Sequence, residues 1–252
     1  MHAHLLLLLV LLWDPISDAA ILNDNVLASI VSRFNAVAAS RGTSGSGAER
    51  QFAFLMALSA DECANPQFDN YVPAETNGNP IISGNTAQFQ TEQLANYMAV
   101  YPKDSRRCAE NKLLYENPQY KQPPTNTNAA QRFQNLLNNR PPGNQLQVGC
   151  VILYTTYTPC IQRCFSDNEN CEIIGPLTQQ PFSTSWANGN VHKYFVFSDV
   201  YNFDNNANRI PIIRNKLGQV SNAGFEIRRC EGNQIQCTNC NSNNNYCIPS
   251  TT

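Results

Sequence analysis

Two cysteines four residues apart, Cys160 and Cys164, follow Pro159 at the end of the most apolar β-branched run in the chain. Proline suits the first turn of a helix, so a helix is predicted here, and positions i and i+4 share one helix face. Two thiolates on one face are half of a zinc site. The same pair suits a disulfide, since helical Cα atoms four apart lie roughly 6 Å from each other, inside bridging range. A carboxyl group for proton transfer is available at Glu92, in Gln90-Thr91-Glu92 at the start of a predicted helix. A glutamate in that position is also an ordinary partner for the free N–H groups of a helix start. Cys237-x-x-Cys240 resembles half a zinc ribbon, but no second pair follows at a suitable spacing, and disulfides are the expectation there.

The rest of the composition limits the chemistry. The 252 residues include 10 Cys but only 3 His, with 19 acidic against 17 basic residues. His2 and His4 precede Leu5 to Trp13, an apolar run of h-region length followed by the small residues Ser17, Ala19 and Ala20. That pattern reads as a signal peptide over residues 1–20, too short to span a bilayer. Cleavage would leave His192 as the only histidine, which excludes sites built on two or three imidazoles. Near-neutral charge argues against bulk electrostatic binding of nucleic acid. In an oxidising compartment an even cysteine count reads as disulfides. The expectation is therefore a secreted, disulfide-stabilised protein with no membrane segment once the leader is removed.

The elements that must position these residues follow from periodicity. Leu27, Ile30, Phe34 and Val37 share one face of a helix over 25–41. Phe52 to Leu58 reads as a buried strand, and Pro80 to Ser83 as a short second one. Leu94, Tyr97, Met98 and Tyr101 are spaced for a helix starting near Gln90. The polar, proline-rich stretch 103–128, which holds Cys108, reads as an irregular insertion. A helix over 129–139, a central strand over 148–154, a helix carrying Cys160 and Cys164, and a strand over 194–197 come next. A helix with Ile212, Ile213 and Leu217 precedes an edge strand over 225–229, and a cysteine-rich tail over 231–252 is expected to be held by disulfides. This α/β order, with short crossovers between the later strands, predicts parallel pairing and helices on both faces.

Tyr154-Thr155-Thr156-Tyr157-Thr158-Pro159-Cys160, then Cys164, after a strand, together with Gln90-Thr91-Glu92 at an earlier helix start, resembles the cytidine-deaminase superfamily. The likeness is greatest to the secreted branch of the AID/APOBEC-like deaminases. In that superfamily one helix opens with H-x-E and a later one with P-C-x-x-C; the His and two Cys hold zinc and the Glu moves protons. The resemblance implies a three-layer α/β/α sandwich with a mixed five-stranded sheet over about residues 21–230. It implies Glu92 as acid and base, zinc on Cys160 and Cys164 with Gln90 as a weak third donor, and thiolates favoured by the helix N-terminus. It further implies that Thr156, Tyr157 and Tyr201 contact a cytosine base of a nucleoside or single-stranded nucleic acid, Tyr201 lying in a loop, Ser198 to Tyr201, that reads the flanking nucleotide. Gln90 in place of His is a departure that lowers zinc affinity, and C-x-x-x-C for C-x-x-C is a milder one. The alternatives are a deaminase-fold binding protein of extracellular defence without zinc, and a disulfide-stabilised structural protein.

Overall fold

A computed structural model describes residues 21–40, 51–64, 88–89, 96–100, 109–114, 129–167, 171–187, 189 and 191–249. The expected signal peptide, the strand at 80–83 and residues Gln90 to Glu92 lie outside them. Among the described residues the elements run α1 (Asp24–Ser40), β1 (Ala53–Ser59), α2 (Ala60–Ala64), β2 (Gln88–Phe89), β3 (Tyr97–Val100), α3 (Ala109–Leu114) and α4 (Ala129–Asn138). They continue through β4 (Val148–Tyr157), α5 (Ile174–Leu177), β5 (His192–Asp199), α6 (Ile210–Asn222), β6 (Phe225–Glu231) and β7 (Gln236–Cys240).

These strands form one seven-stranded mixed sheet in the order β2-β3-β1-β4-β5-β6-β7. β4 is its spine. Eight consecutive residues, Gly149 to Thr156, are buried, as a strand covered on both faces must be. It pairs antiparallel with β1 and parallel with β5, and β5 pairs parallel with β6. The expected three layers and parallel crossovers are therefore present. On one face α1 lays Leu27, Ile30, Val31 and Phe34 over Phe54, Met56, Ile152 and Tyr194. Phe34 stacks on Phe54 with ring centroids 4.1 Å apart. On the other face α3, α4 and α6 cover Leu55, Val151, Leu153 and Phe195, with Phe182 and Trp186 closing that core.

Five sequence expectations are corrected. Residues 97–100 are strand, not helix: Tyr97 and Ala99 enter the α1-side core while Met98 enters the opposite one, an alternation that the 3.6-residue spacing of Leu94, Met98 and Tyr101 concealed. The stretch 103–128 contains α3, whose Ala109, Glu110, Asn111, Leu113 and Leu114 are all fully buried. The sheet has seven strands, not five, and β6 is internal because the tail adds β7 beyond it. No regular helix follows Pro159; the chain makes a compact turn described below.

Disulfides hold the start of the central strand and the β6-β7 edge of the sheet. Cys63–Cys150 ties α2 to the start of β4, and Cys230–Cys237 and Cys240–Cys247 hold the tail, as expected for an oxidising compartment. At the same corner Gly149 is required by close approach: a Cβ there would lie 2.5 Å from the backbone of Ala60. No described helix is long and apolar enough to cross a membrane.

Candidate functional site

The parallel strands β4 and β5 end side by side, Tyr157 in register with Asp199. Past those ends lie the turn at 158–165 and the segment 200–204. Thr158 ties the two together: its N–H donates to Asp199 O (2.7 Å) and its Oγ1 accepts from Tyr201 N–H (3.2 Å). The turn that carries the cysteine pair closes on itself, with Arg163 N–H and Phe165 N–H both donating to Cys160 O. A second fixing point is Asp204, whose side chain is 1% exposed. One of its carboxylate oxygens accepts from Ile161 N–H at 2.8 Å and the other pairs with Arg209 at 2.8 Å. That side-chain contact takes the N–H a regular helix start would leave free, and it fixes Cys160 without a full helical turn.

Cys160 Sγ and Cys164 Sγ lie 3.8 Å apart. Cys164 is buried and disulfide-bonded, whereas Cys160 is a half-buried thiol. Beside them stands Glu110, from the first turn of α3, with no solvent exposure. Its Oε1 accepts from Thr155 Oγ1 at 2.7 Å and from Gln51 Nε2 at 2.8 Å, and its Oε2 lies 3.9 Å from Cys164 Sγ. Burial raises the Glu110 pKa above the ordinary carboxyl value, and the hydrogen bonds from Thr155, its own backbone and Gln51 only partly oppose this. The group therefore holds its proton to higher pH than a surface glutamate. Burial likewise raises the Cys160 thiol, and the nearby Glu110 and Asp204 carboxylates raise it further against the pull of two backbone N–H groups. The expected thiolate stabilisation by a helix N-terminus is thus absent at Cys160, because carboxylates and burial face the sulfur instead.

The predicted substrate residues divide between the two faces of β4. Thr155 points at Glu110, so the pleat turns Thr156 the other way, where its Oγ1 bonds both the N–H and the C=O of Phe52. Thr156 is therefore not gathered with the cysteines. Tyr157 and Tyr201 are: their rings meet edge-on with centroids 6.3 Å apart, and Tyr201 in turn contacts Phe203 at 5.5 Å. Burial raises the Tyr201 pKa, followed by the charges of its neighbours Cys160 and Asp204. Phe203 is 74% exposed, so the row of rings runs from the cysteine turn into solvent. Residues Gln90 and Glu92 lie outside the described residues. His192 sits at the opposite end of β5, 3.4 Å from Glu226.

Sequence reasoning missed Glu110, Asp204 and Phe203. Glu110 had a signal: Cys108-Ala109-Glu110 carries the ligand-x-Glu spacing with Cys where His is usual. Whether zinc fits the described residues has two answers. Two Zn–S bonds of about 2.3 Å at a tetrahedral angle place their sulfurs roughly 3.8 Å apart, which is the spacing of Cys160 and Cys164. A disulfide sulfur, however, is not a thiolate ligand, so in this oxidation state the pair does not fit. Among the described residues no group of three or more His, Cys, Asp or Glu side chains is arranged for a metal.

No curated protein matches this chain, and no solved structure matches it. One protein family does, described as Secreted Novel AID/APOBEC-like Deaminase 1, over residues 24–251. That span takes in every element of the sheet, the cysteine turn and Glu110, and the deaminase-like α/β/α order agrees with it. The chain belongs to the Secreted Novel AID/APOBEC-like Deaminase 1 family.

Proposed function

We propose that this is a secreted hydrolytic deaminase acting on cytosine in nucleosides or single-stranded nucleic acid, with Glu110, in place of the expected Glu92, as the proton-transfer group. The observation that carries the reading is a fully buried carboxyl group 3.9 Å from the second cysteine of the P-C-x-x-x-C turn. The net reaction adds water at C4 of the base and releases ammonia, leaving uracil. Glu110 takes one proton from the incoming water and gives it to the ring nitrogen, then takes the second from the hydroxyl now on C4 and gives it to the departing amino group. Thr155 and Gln51 hold Oε1 from one side, which leaves Oε2 directed at the sulfurs. Tyr157 and Tyr201 stand in contact beside the cysteine turn, and the exposed Phe203 offers a stacking face for the neighbouring base.

The chain's own donors for zinc are proposed as three cysteines. Six of the ten cysteines form the three disulfides above, and Cys160 and Cys171 are thiols. Cys164 and Cys108 are what remain, and Cys108 stands two residues before Glu110 in the sequence. Once reduced, Cys108, Cys160 and Cys164 would offer the three-thiolate set known for zinc deaminases, with no need for Gln90.

The disulfide at Cys164 supports a second reading, in which the oxidised protein binds a base or a microbial ligand in extracellular defence without converting it. Incubation of the reduced, zinc-supplied protein with cytidine and with a cytosine-containing oligonucleotide separates the two. Uracil formation is expected; its absence from both substrates would leave the binding protein as the better account.

A further inference from the structure

We infer that Arg229 is a positioning residue for the candidate site: the disulfide-closed tail orients Arg229, and Arg229 holds the end of β5 from which the segment 200–204 departs. That this segment meets a substrate rests on the function proposed above; that the tail sets its conformation does not.

Arg229 lies in β6, in register with Phe197 of β5, and its side chain is 14% exposed. Its Nε–H donates to Ser198 O at 3.3 Å and one terminal nitrogen donates to Cys247 O at 2.8 Å. The other terminal nitrogen faces Glu231 at 2.6 Å and Asp199 at 3.5 Å. Both carboxylates are more than half exposed, so those pairs add little. The two carbonyls fix the geometry, because a planar fork sends its N–H groups in set directions and a lysine ammonium does not. Ser198 is held from the α1 side as well: its Oγ lies 2.7 Å from the buried Tyr154 hydroxyl, which donates to Asn35 at 3.2 Å. The next residue, Asp199, accepts the Val200 N–H on its side chain at 2.7 Å and the Thr158 N–H on its carbonyl. Whatever fixes residues 198 and 199 therefore sets where Tyr201 begins.

The tail is built to present the Cys247 carbonyl. Asn245, Tyr246 and Cys247 have φ of 53°, 54° and 57°, three consecutive side chains in a backbone region that such residues rarely enter even singly. Strained backbone of this kind persists where its surroundings over-determine it, and it collects at functional places. Here the Cys240–Cys247 disulfide closes the turn onto β7, and Tyr246 N–H donates to Asn241 O at 2.7 Å. Beyond it Ile248 is buried in the core, and Arg214 of α6 donates to Ile248 O at 2.8 Å. The left-handed run ends at Cys247, where Arg229 takes the carbonyl.

The test is amide hydrogen exchange on the full secreted chain, comparing the native protein with Arg229→Gln, Arg229→Lys and the double variant Cys240→Ser/Cys247→Ser. Exchange of the amides at 200–204 is expected to speed up by about tenfold in all three, while β1 and β4 keep their native rates. Native protection of 200–204 in Arg229→Gln, or its rescue by Arg229→Lys, would overturn the inference. So would equal acceleration of β1 and 200–204, which marks loss of global stability and not of positioning. If Arg229→Gln does not fold, the double cysteine variant decides, since Arg229 is then intact and native protection means that the tail does not orient it. In deamination of a single-stranded oligonucleotide, Arg229→Gln should raise KM about tenfold and leave kcat within about twofold; a fall in kcat with KM unchanged contradicts an effect through the substrate-contacting segment. A native chain that deaminates nothing refutes the proposed reaction and leaves the exchange pattern to decide the positioning.

Discussion

Replacing Glu110 by Gln should make the protein more stable at neutral pH. The carboxyl group is fully buried, and the interactions that favour its charged form are three neutral hydrogen bonds, from Thr155, its own backbone and Gln51. Desolvating a carboxylate costs several kcal/mol in a real protein interior, and the raised pKa says that the hydrogen bonds to the ionised form do not recover all of it. A net penalty is left when the group is forced to ionise. An amide keeps an acceptor for Thr155 and Gln51 and has no charge to desolvate. The sign follows from linkage: the folded pKa lies above the ordinary 4.5, so the unfolded chain loses its proton first as pH rises. Stability contributed by this site is then full below about pH 4.5 and falls as pH climbs toward the folded value. E110Q should melt above the native chain at pH 8, by about 2–4 °C for each kcal/mol of that penalty at this chain length. The gap should close to nothing near pH 4. Thermal melts followed by circular dichroism at both pH values, disulfides intact, measure this directly. A variant that melts below the native chain at pH 8, or a gap that does not change with pH, would refute the reasoning.

Other perturbations separate fold from site. Asp204→Ala removes the acceptor for Ile161 N–H and the ion pair of Arg209, which keeps only its hydrogen bond to Phe203 O; a loss of about 2–4 kcal/mol is expected in urea unfolding, and restoration by Asp204→Asn to the native value would contradict a role for the charge. Gly149→Ala drives a Cβ to 2.5 Å from the Ala60 backbone and should cost about 1–3 kcal/mol by the same measurement. Phe203→Ala should leave the melting temperature within about 1 °C, since the ring is 74% exposed and such surface changes are small. It should weaken binding of a single-stranded oligonucleotide by about 1–3 kcal/mol, measured by fluorescence anisotropy; unchanged binding removes Phe203 from the proposed base platform.

How legible each part was in the sequence depended on whether burial and polarity agreed. β1, β4 and α4 were readable because Phe52 to Leu58, Val148 to Tyr154, and Ala130, Phe133 and Leu137 are apolar where they are buried. α3 was hidden because its buried face includes Glu110 and Asn111, which periodicity counts as solvent-facing, and because a six-residue helix carries little pattern. β3 was misjudged since Tyr97 and Met98 sit at positions that suit a helix or a strand, and only pairing with β1 decides. In the site, the cysteine turn was visible from spacing alone. Its geometry was not, because Asp204 reaches it from 43 residues away and replaces a helix cap by a long-range contact.

The central claim, that Glu110 beside the cysteine turn is the proton-transfer group, is tested most directly by comparing E110Q with E92Q. Both variants, reduced and supplied with zinc, are incubated with a single-stranded oligonucleotide containing one cytosine, and uracil is quantified by mass spectrometry. Conversion by E92Q at the native rate and none by E110Q is the predicted result. Conversion that survives E110Q, or that is lost in E92Q, contradicts the account.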